Sequence, residues 1–202
     1  MQDLLSIVGE QARTTSPLEA MAVALGIAYL LLAIRQNIWC WLCAGVYTAI
    51  YVYLFVDAKL YMESVLNLFY FAMAIYGWHT WYYGRTGSGE LPVVVWSLAV
   101  HAAAIGVVIC ISAANGYLLT LYTDAAFPYI DSLTTWSAIW ATFLVARKVF
   151  ENWYYWLVID AASIVIYWLR DLQLTSLLYV VFVAMIPFGI VAWRRSWRQQ
   201  QA

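Results

Sequence analysis

Charge is scarce in this chain: only 10% of its 202 residues are Asp, Glu, Lys or Arg, where a soluble domain carries roughly a quarter. Lysine occurs only at Lys59 and Lys148, histidine only at His79 and His101, and cysteine three times. The net charge is −1, without a basic block or a glycine-rich phosphate loop, which excludes nucleic acid as a partner. Cys40 and Cys43 form a lone C-x-x-C in an apolar run, with no second pair or nearby His. They read as small core residues, and neither a metal site nor a disulfide is expected. The histidines lack metal-ligand spacing with an acid and lack a serine partner, so catalysis is not expected and no cofactor is called for. Both lysines fall at helix ends, which excludes a retinal Schiff base in the last helix. A basic n-region and a small-residue cleavage site are missing at the start, so the first apolar stretch is expected to stay in the mature protein.

What the chain has is hydrophobic length. Apolar residues make up 65%, with 12 Trp and 16 Tyr, side chains suited to membrane interfaces and cavity walls. A span needs roughly 17–25 mostly apolar residues. Seven stretches qualify: Pro17–Ile34, Ile38–Val56, Leu60–Gly84, Pro92–Ala114, Pro128–Ala146, Trp153–Leu169 and Leu172–Trp193. Their length and lack of strict alternation argue against sheet, so the fold class is an all-α integral membrane protein. Residues 1–16 are too short to span and are expected to form a brief interfacial helix or a frayed end. Arg35, Arg85, Arg147, Lys148, Arg194, Arg195 and Arg198 fall on one side, and Arg13, Lys59 and Arg170 on the other. The positive-inside rule then puts the N-terminus outside and the C-terminus in the cytoplasm.

An internal repeat organises these spans. A shift of 112 residues sets Glu19 on Asp131, Arg35 on Arg147, Ala72-Met73 on Ala184-Met185, Gly77 on Gly189 and Trp81 on Trp193. Allowing two extra residues after the first helix also matches Trp39 with Trp153, Tyr53 with Tyr167 and Asp57 with Asp171. The expected division is an N-terminal segment (1–16), a three-helix unit (17–84), a linker helix with its loops (85–127), a second unit (128–193) and a basic tail (194–202). One helix between three-helix units gives both the same orientation, a parallel 3+1+3 repeat. Such repeats are a transporter design with substrate held between the halves.

Chemistry concentrates on the sixth helix. Trp153, Trp156, Asp160, Ser163 and Tyr167 follow spacings of 3, 4, 3 and 4 and share one face. A carboxylate at membrane depth should face a cavity or a partner. On the third helix Glu63, Asn67, Tyr70 and Trp81 lie near one face, with Gly77 permitting close approach and Trp78 beside it. On the fifth, Asp131, Thr135 and Thr142 line a stripe, and Trp136 and Trp140 form an i, i+4 pair. Aromatics with an acid and an amide suit a flat, positively charged or polar ring.

Asp131-Ser-Leu-Thr-Thr, Arg147-Lys148-x-x-Glu151-Asn152-Trp153-x-x-Trp156 and Tyr76-Gly77-Trp78-x-x-Trp81 resemble the PnuC family of vitamin transporters. The resemblance covers the whole seven-helix core and implies a design shared with SWEET sugar transporters. It also implies uptake of nicotinamide riboside, thiamine or riboflavin by facilitated diffusion across the bacterial inner membrane. Trp153, Trp156, Trp78 and Trp81 would carry over as the family's tryptophans. Some nicotinamide riboside members carry Asn where this chain has Asp160, and Asn-Gly where it reads Pro187-Phe188-Gly189; the wording leans slightly to thiamine. The partners expected are a small vitamin and the lipid bilayer, with a homo-oligomer left open. The rivals are an ion-coupled carrier, an intramembrane enzyme and a purely structural membrane protein.

Overall fold

In a computed structural model, residues 16–57, 59, 61–84, 90–123, 127–170 and 172–201 are described, without the side chains of 61–63 and 174. The expectation for residues 1–16 lies outside them except for Ser16. Seven helices are present among the described residues: α1 (Pro17–Ile34), α2 (Trp39–Asp57), α3 (Tyr61–Tyr83), α4 (Leu98–Tyr122), α5 (Pro128–Ala146), α6 (Asn152–Leu169) and α7 (Gln173–Gln199). Ser16 caps α1, its Oγ accepting from the Glu19 amide at 3.2 Å, and Pro17 occupies the first turn, where a missing N–H costs nothing. By length and apolarity alone, α1, α2, α4 and most of α7 can cross a bilayer. The other three, α3, α5 and α6, carry Asn67, Asp131 and Asp160, and these polar groups lower their mean hydropathy.

Two elements depart from the expected spans. The linker helix begins at Leu98 rather than Pro92 and continues to Tyr122. Residues 90–97 are extended because Pro92 is followed by the β-branched run Val93–Val95, and a partner is available. The Val94 amide donates to the Lys148 carbonyl at 3.0 Å, and the Phe150 amide donates to the Val94 carbonyl at 2.8 Å. The seventh helix carries Pro187 inside it and runs to Gln199, so most of the expected tail, 194–202, is helix.

The helices pack as α1–α2–α3 and as α5–α6–α7, with α4 laid on α5; α3 meets α5, and α1 meets α7. Residues 112 apart repeatedly make the same contact. The Trp41 indole covers Gly77, and the Trp153 indole covers Gly189. Trp41 stands edge-on to Trp81 at 5.6 Å, and Trp153 to Trp193 at 5.5 Å. Ser64 Oγ donates to the Val52 carbonyl at 3.2 Å, and Ser176 Oγ to the Ile164 carbonyl at 2.9 Å. Between the helix groups, Trp81 Nε1 donates to the Val145 carbonyl at 3.3 Å and Trp193 Nε1 to the Ala33 carbonyl at 2.9 Å.

The helix ends match as well. Gln36 and Lys148 take the left-handed conformation (φ 54° and 49°) just past α1 and α5. The amides of Gln36 and Asn37 donate to the carbonyls of Ala33 and Leu32, and those of Lys148 and Val149 to Val145 and Leu144. Both ends are therefore Schellman motifs. The helix contacts beyond these turns keep the same 112-residue register, which corrects the expected two-residue insertion. Trp153 corresponds to Trp41, not to Trp39, which is 55% exposed and rests edge-on against Trp78.

A methyl group on Gly77 or Gly189 would overlap an indole. Gly77→Ala and Gly189→Ala are each expected to cost about 1–3 kcal/mol, as overpacking does. The thermal midpoint of detergent-purified protein measures this, and Gly26→Ala, with open space around it, is the control.

Candidate functional site

The α6 face folds inward where expected. Trp153, Asp160 and Ser163 are buried, and Trp156 and Tyr167 are half-buried. Asp160 is 4% exposed, and among the described residues it has no ion-pair partner. A lone carboxylate at a helix centre costs roughly 2.5–3.5 kcal/mol to insert into a bilayer, and such groups mark ligand or ion paths.

A series of phenols begins beside it at Tyr179 and runs from helix to helix. Tyr179 of α7 stacks on Tyr167 at 5.3 Å and lies within electrostatic reach of Asp160 and of Tyr70 on α3. Tyr70 is also within reach of Tyr29 on α1, which meets Tyr47 of α2 edge-on at 6.2 Å. Tyr47 in turn meets Tyr51 at 6.4 Å. All six phenols are half-buried. Ring contacts and electrostatic proximity thus relate phenols of α1, α2, α3, α6 and α7 to one another. Tyr29, Tyr47, Tyr51 and Tyr179 had not been singled out in the sequence. The i, i+4 spacing of Tyr47 and Tyr51 is the same signal that marked α6, and it could have been read on α2.

The two halves differ at Asp160. The residue 112 positions before Asp160 is Thr48, fully buried, whose Oγ1 donates to its own helix at the Ala44 carbonyl, 2.7 Å away. At this matched pair only α6 carries an acid, while Glu19 of α1 lies within electrostatic reach of Tyr51.

Several expected residues stand elsewhere. Trp78 lines an apolar groove of about 650 Å³ with Leu42, Gly45, Ala49, Tyr53 and Ile75, on the outer face of α2 and α3. It does not belong to the α6 face. Its neighbour Gly77 points at Trp41, which turns Trp78 about 100° away around the helix. Trp140 packs on Trp96 at 6.1 Å and Phe143 at 5.6 Å, facing the linker. There His101 Nδ1 lies 3.0 Å from Tyr155 Oη and ties α4 to α6. Trp153 is covered by Gly189 and Trp193, so it is more a packing residue than a wall. Asp131 is held by Arg170 Nη2 at 2.7 Å to both of its oxygens. Thr135 and Trp136 are half-buried on α5, and Asn67 is half-buried on α3. The Glu63 side chain lies outside the described residues.

Comparison with known proteins shows the family to which this bundle of long apolar helices belongs. The family profile described as nicotinamide mononucleotide transporter matches residues 16–195. The chain belongs to this family. It is 27% identical over 219 aligned residues to the nicotinamide riboside transporter PnuC of Escherichia coli, covering 96% of this chain and 91% of that one. It is 26% identical to the riboflavin/roseoflavin transporter RibM of Streptomyces davaonensis, covering 84% and 80%. The crystal structure of the vitamin B3 transporter PnuC shares the fold, with a TM-score of 0.73, 21% identity, and coverage of 97% and 90%. Membership in this family and the four long apolar helices make this a multi-pass membrane protein.

Proposed function

We propose that this protein carries a ring-bearing vitamin with a fixed positive charge, nicotinamide riboside foremost, across the membrane by facilitated diffusion with alternating access. The observation that carries this reading is Asp160, buried beside Tyr179 and, among the described residues, without an ion-pair partner. An ionised Asp160 balances the ligand's charge, while the flat ring rests on aromatic faces that attract cations by about 0.5–2 kcal/mol each. The acid performs no bond chemistry in this account. Relatives named for nicotinamide riboside support the choice of ligand; one named for riboflavin widens it. Thiamine, toward which the sequence wording leans, is also cationic and belongs in the same test.

The architecture proposed with it is two parallel three-helix units, 17–84 and 128–193, joined through α4, with all seven helices crossing the bilayer. The paired contacts 112 residues apart support this, as does the matching of α3 on α5 by α7 on α1. The positive-inside count favours the end bearing Arg147 as cytoplasmic.

Titration of detergent-purified protein with nicotinamide riboside, thiamine and riboflavin tests the ligand class. A cationic vitamin is expected to bind more tightly than riboflavin. Equal or tighter binding of neutral riboflavin removes the role given to Asp160. Ion coupling is the second reading, favoured by the same ionisable group at membrane depth. Uphill accumulation driven by a proton or sodium step would establish it.

A further inference from the structure

The residue just past a helix in a Schellman motif is usually glycine, because the left-handed conformation costs any other residue. Here the two positions hold Gln36 and Lys148 (φ 54° and 49°). Strain kept at a matched pair of sites suggests that the side chains themselves are needed. They meet: Lys148 Nζ donates to Gln36 Oε1 at 3.2 Å, across the boundary between the α1–α3 and α5–α7 groups. Lys148 is 1% exposed, its ammonium lies 4.5 Å from the centre of the Trp81 ring, and Glu90 Oε2 is 3.5 Å away.

We propose that Lys148 and Gln36 form the closing contact of a gate at the end of the bundle that bears Arg147, separating when the chamber opens there. This rests on the transport reading and names its moving seam. Hydrogen bonds across the seam also run from Trp81 and Trp193 to last-turn carbonyls of α5 and α1, and from Arg147 Nη1 to Tyr76 Oη at 3.4 Å. Carbonyls at helix ends readily take water instead. Within each group the joints are indoles pressed on glycines, which water cannot replace. The seam also holds ring contacts, Tyr76 on Phe143 at 6.1 Å and Trp81 against Trp193 at 6.3 Å, but neither of the glycine-seated indoles, so it parts at less cost than either group. The extended segment at 90–97 travels with α5–α7, since Val94 is bonded to Lys148 and Phe150, and Trp96 N to Glu151 Oε2 at 3.4 Å.

Cys40 reports the opening. It is fully buried and within electrostatic reach of Lys148. With Cys43→Ala and Cys110→Ala, it is the sole thiol, and a membrane-impermeant maleimide is applied to right-side-out and inside-out vesicles. Lys148→Gly and Gln36→Gly each relieve backbone strain, so the lost contact is not confounded with misfolding. Gln36→Gly is expected to speed Cys40 labelling about tenfold from the Arg147 face only, the effect of losing one charge-assisted hydrogen bond, and Lys148→Gly by at least as much from that face, since the Glu90 and Trp81 contacts go with it. Unchanged labelling in both variants makes the contact a fixed pivot and overturns the proposal, and so does faster labelling from both faces. Counterflow of nicotinamide riboside by the parent chain is read separately. One-sided opening without any vitamin movement keeps the gate and removes the transport reading.

Discussion

Asp160→Asn is expected to weaken the binding of the cationic vitamins, nicotinamide riboside and thiamine, by about 30- to 5000-fold, the equivalent of the 2–5 kcal/mol lost when a buried charge pair loses one partner. The amide keeps the size of the carboxylate and removes only its charge. Asp160 is 4% exposed and has no ion-pair partner among the described residues, so no existing bridge breaks with it. The apo-protein should therefore be as stable as the parent, or more stable, because an uncompensated acid no longer sits at membrane depth. Riboflavin, having no fixed charge, serves as the discriminating ligand. Its affinity should change by less than threefold, roughly the scatter of a substitution that disturbs no contact. Parallel titrations of parent and variant give both numbers. An equal loss for the charged and the neutral vitamin would show that the acid shapes the chamber without balancing charge.

Trp153→Ala is expected to cost about 3–5 kcal/mol of stability, as large-to-small changes at packed aromatic sites do. The motif-level expectation that both tryptophans of Trp-x-x-Trp line the ligand needs this revision. Trp153 closes on Gly189 and stands edge-on to Trp193, and it is 2% exposed. Trp41 holds the matching place on Gly77, and Trp41→Ala should be as damaging. Trp156 keeps accessible surface. Trp156→Ala should fold and lose ligand affinity, by about tenfold for one cation–aromatic contact. Size-exclusion profiles and thermal midpoints separate the first pair from the second. A Trp153→Ala protein with the parent's midpoint would return that indole to the chamber wall.

The helices were legible in sequence because apolar length is a one-dimensional signal; α1 and α5 match their expected spans residue for residue. The extended stretch at 90–97 was not, since a single apolar run reads as span whether it is helix or strand. Only the partner carbonyl of Lys148, more than 50 residues away, decides it. The α6 face was legible through its 3–4 spacing. Trp78 and Trp140 were misplaced because a tryptophan near a helix end is equally at home in a groove, an interface or a chamber. What separates those places is the neighbour: Gly77 on Trp41 for one, and Trp96 against Trp140 for the other. The phenols of Tyr29, Tyr47 and Tyr179 come together only when α1, α2 and α7 are assembled. The 112-residue register shows the same limit. Matching letters invited a two-residue gap at Trp39, while matching contacts place Trp41 there without one.

Counterflow of labelled nicotinamide riboside into proteoliposomes preloaded with the unlabelled vitamin, with no ion gradient, bears most directly on the account. Saturable exchange in the parent chain, which Asp160→Asn shifts to higher vitamin concentration, is the predicted result. Protein that is folded and correctly inserted, yet exchanges no vitamin or exchanges it equally well without the acid, would contradict it.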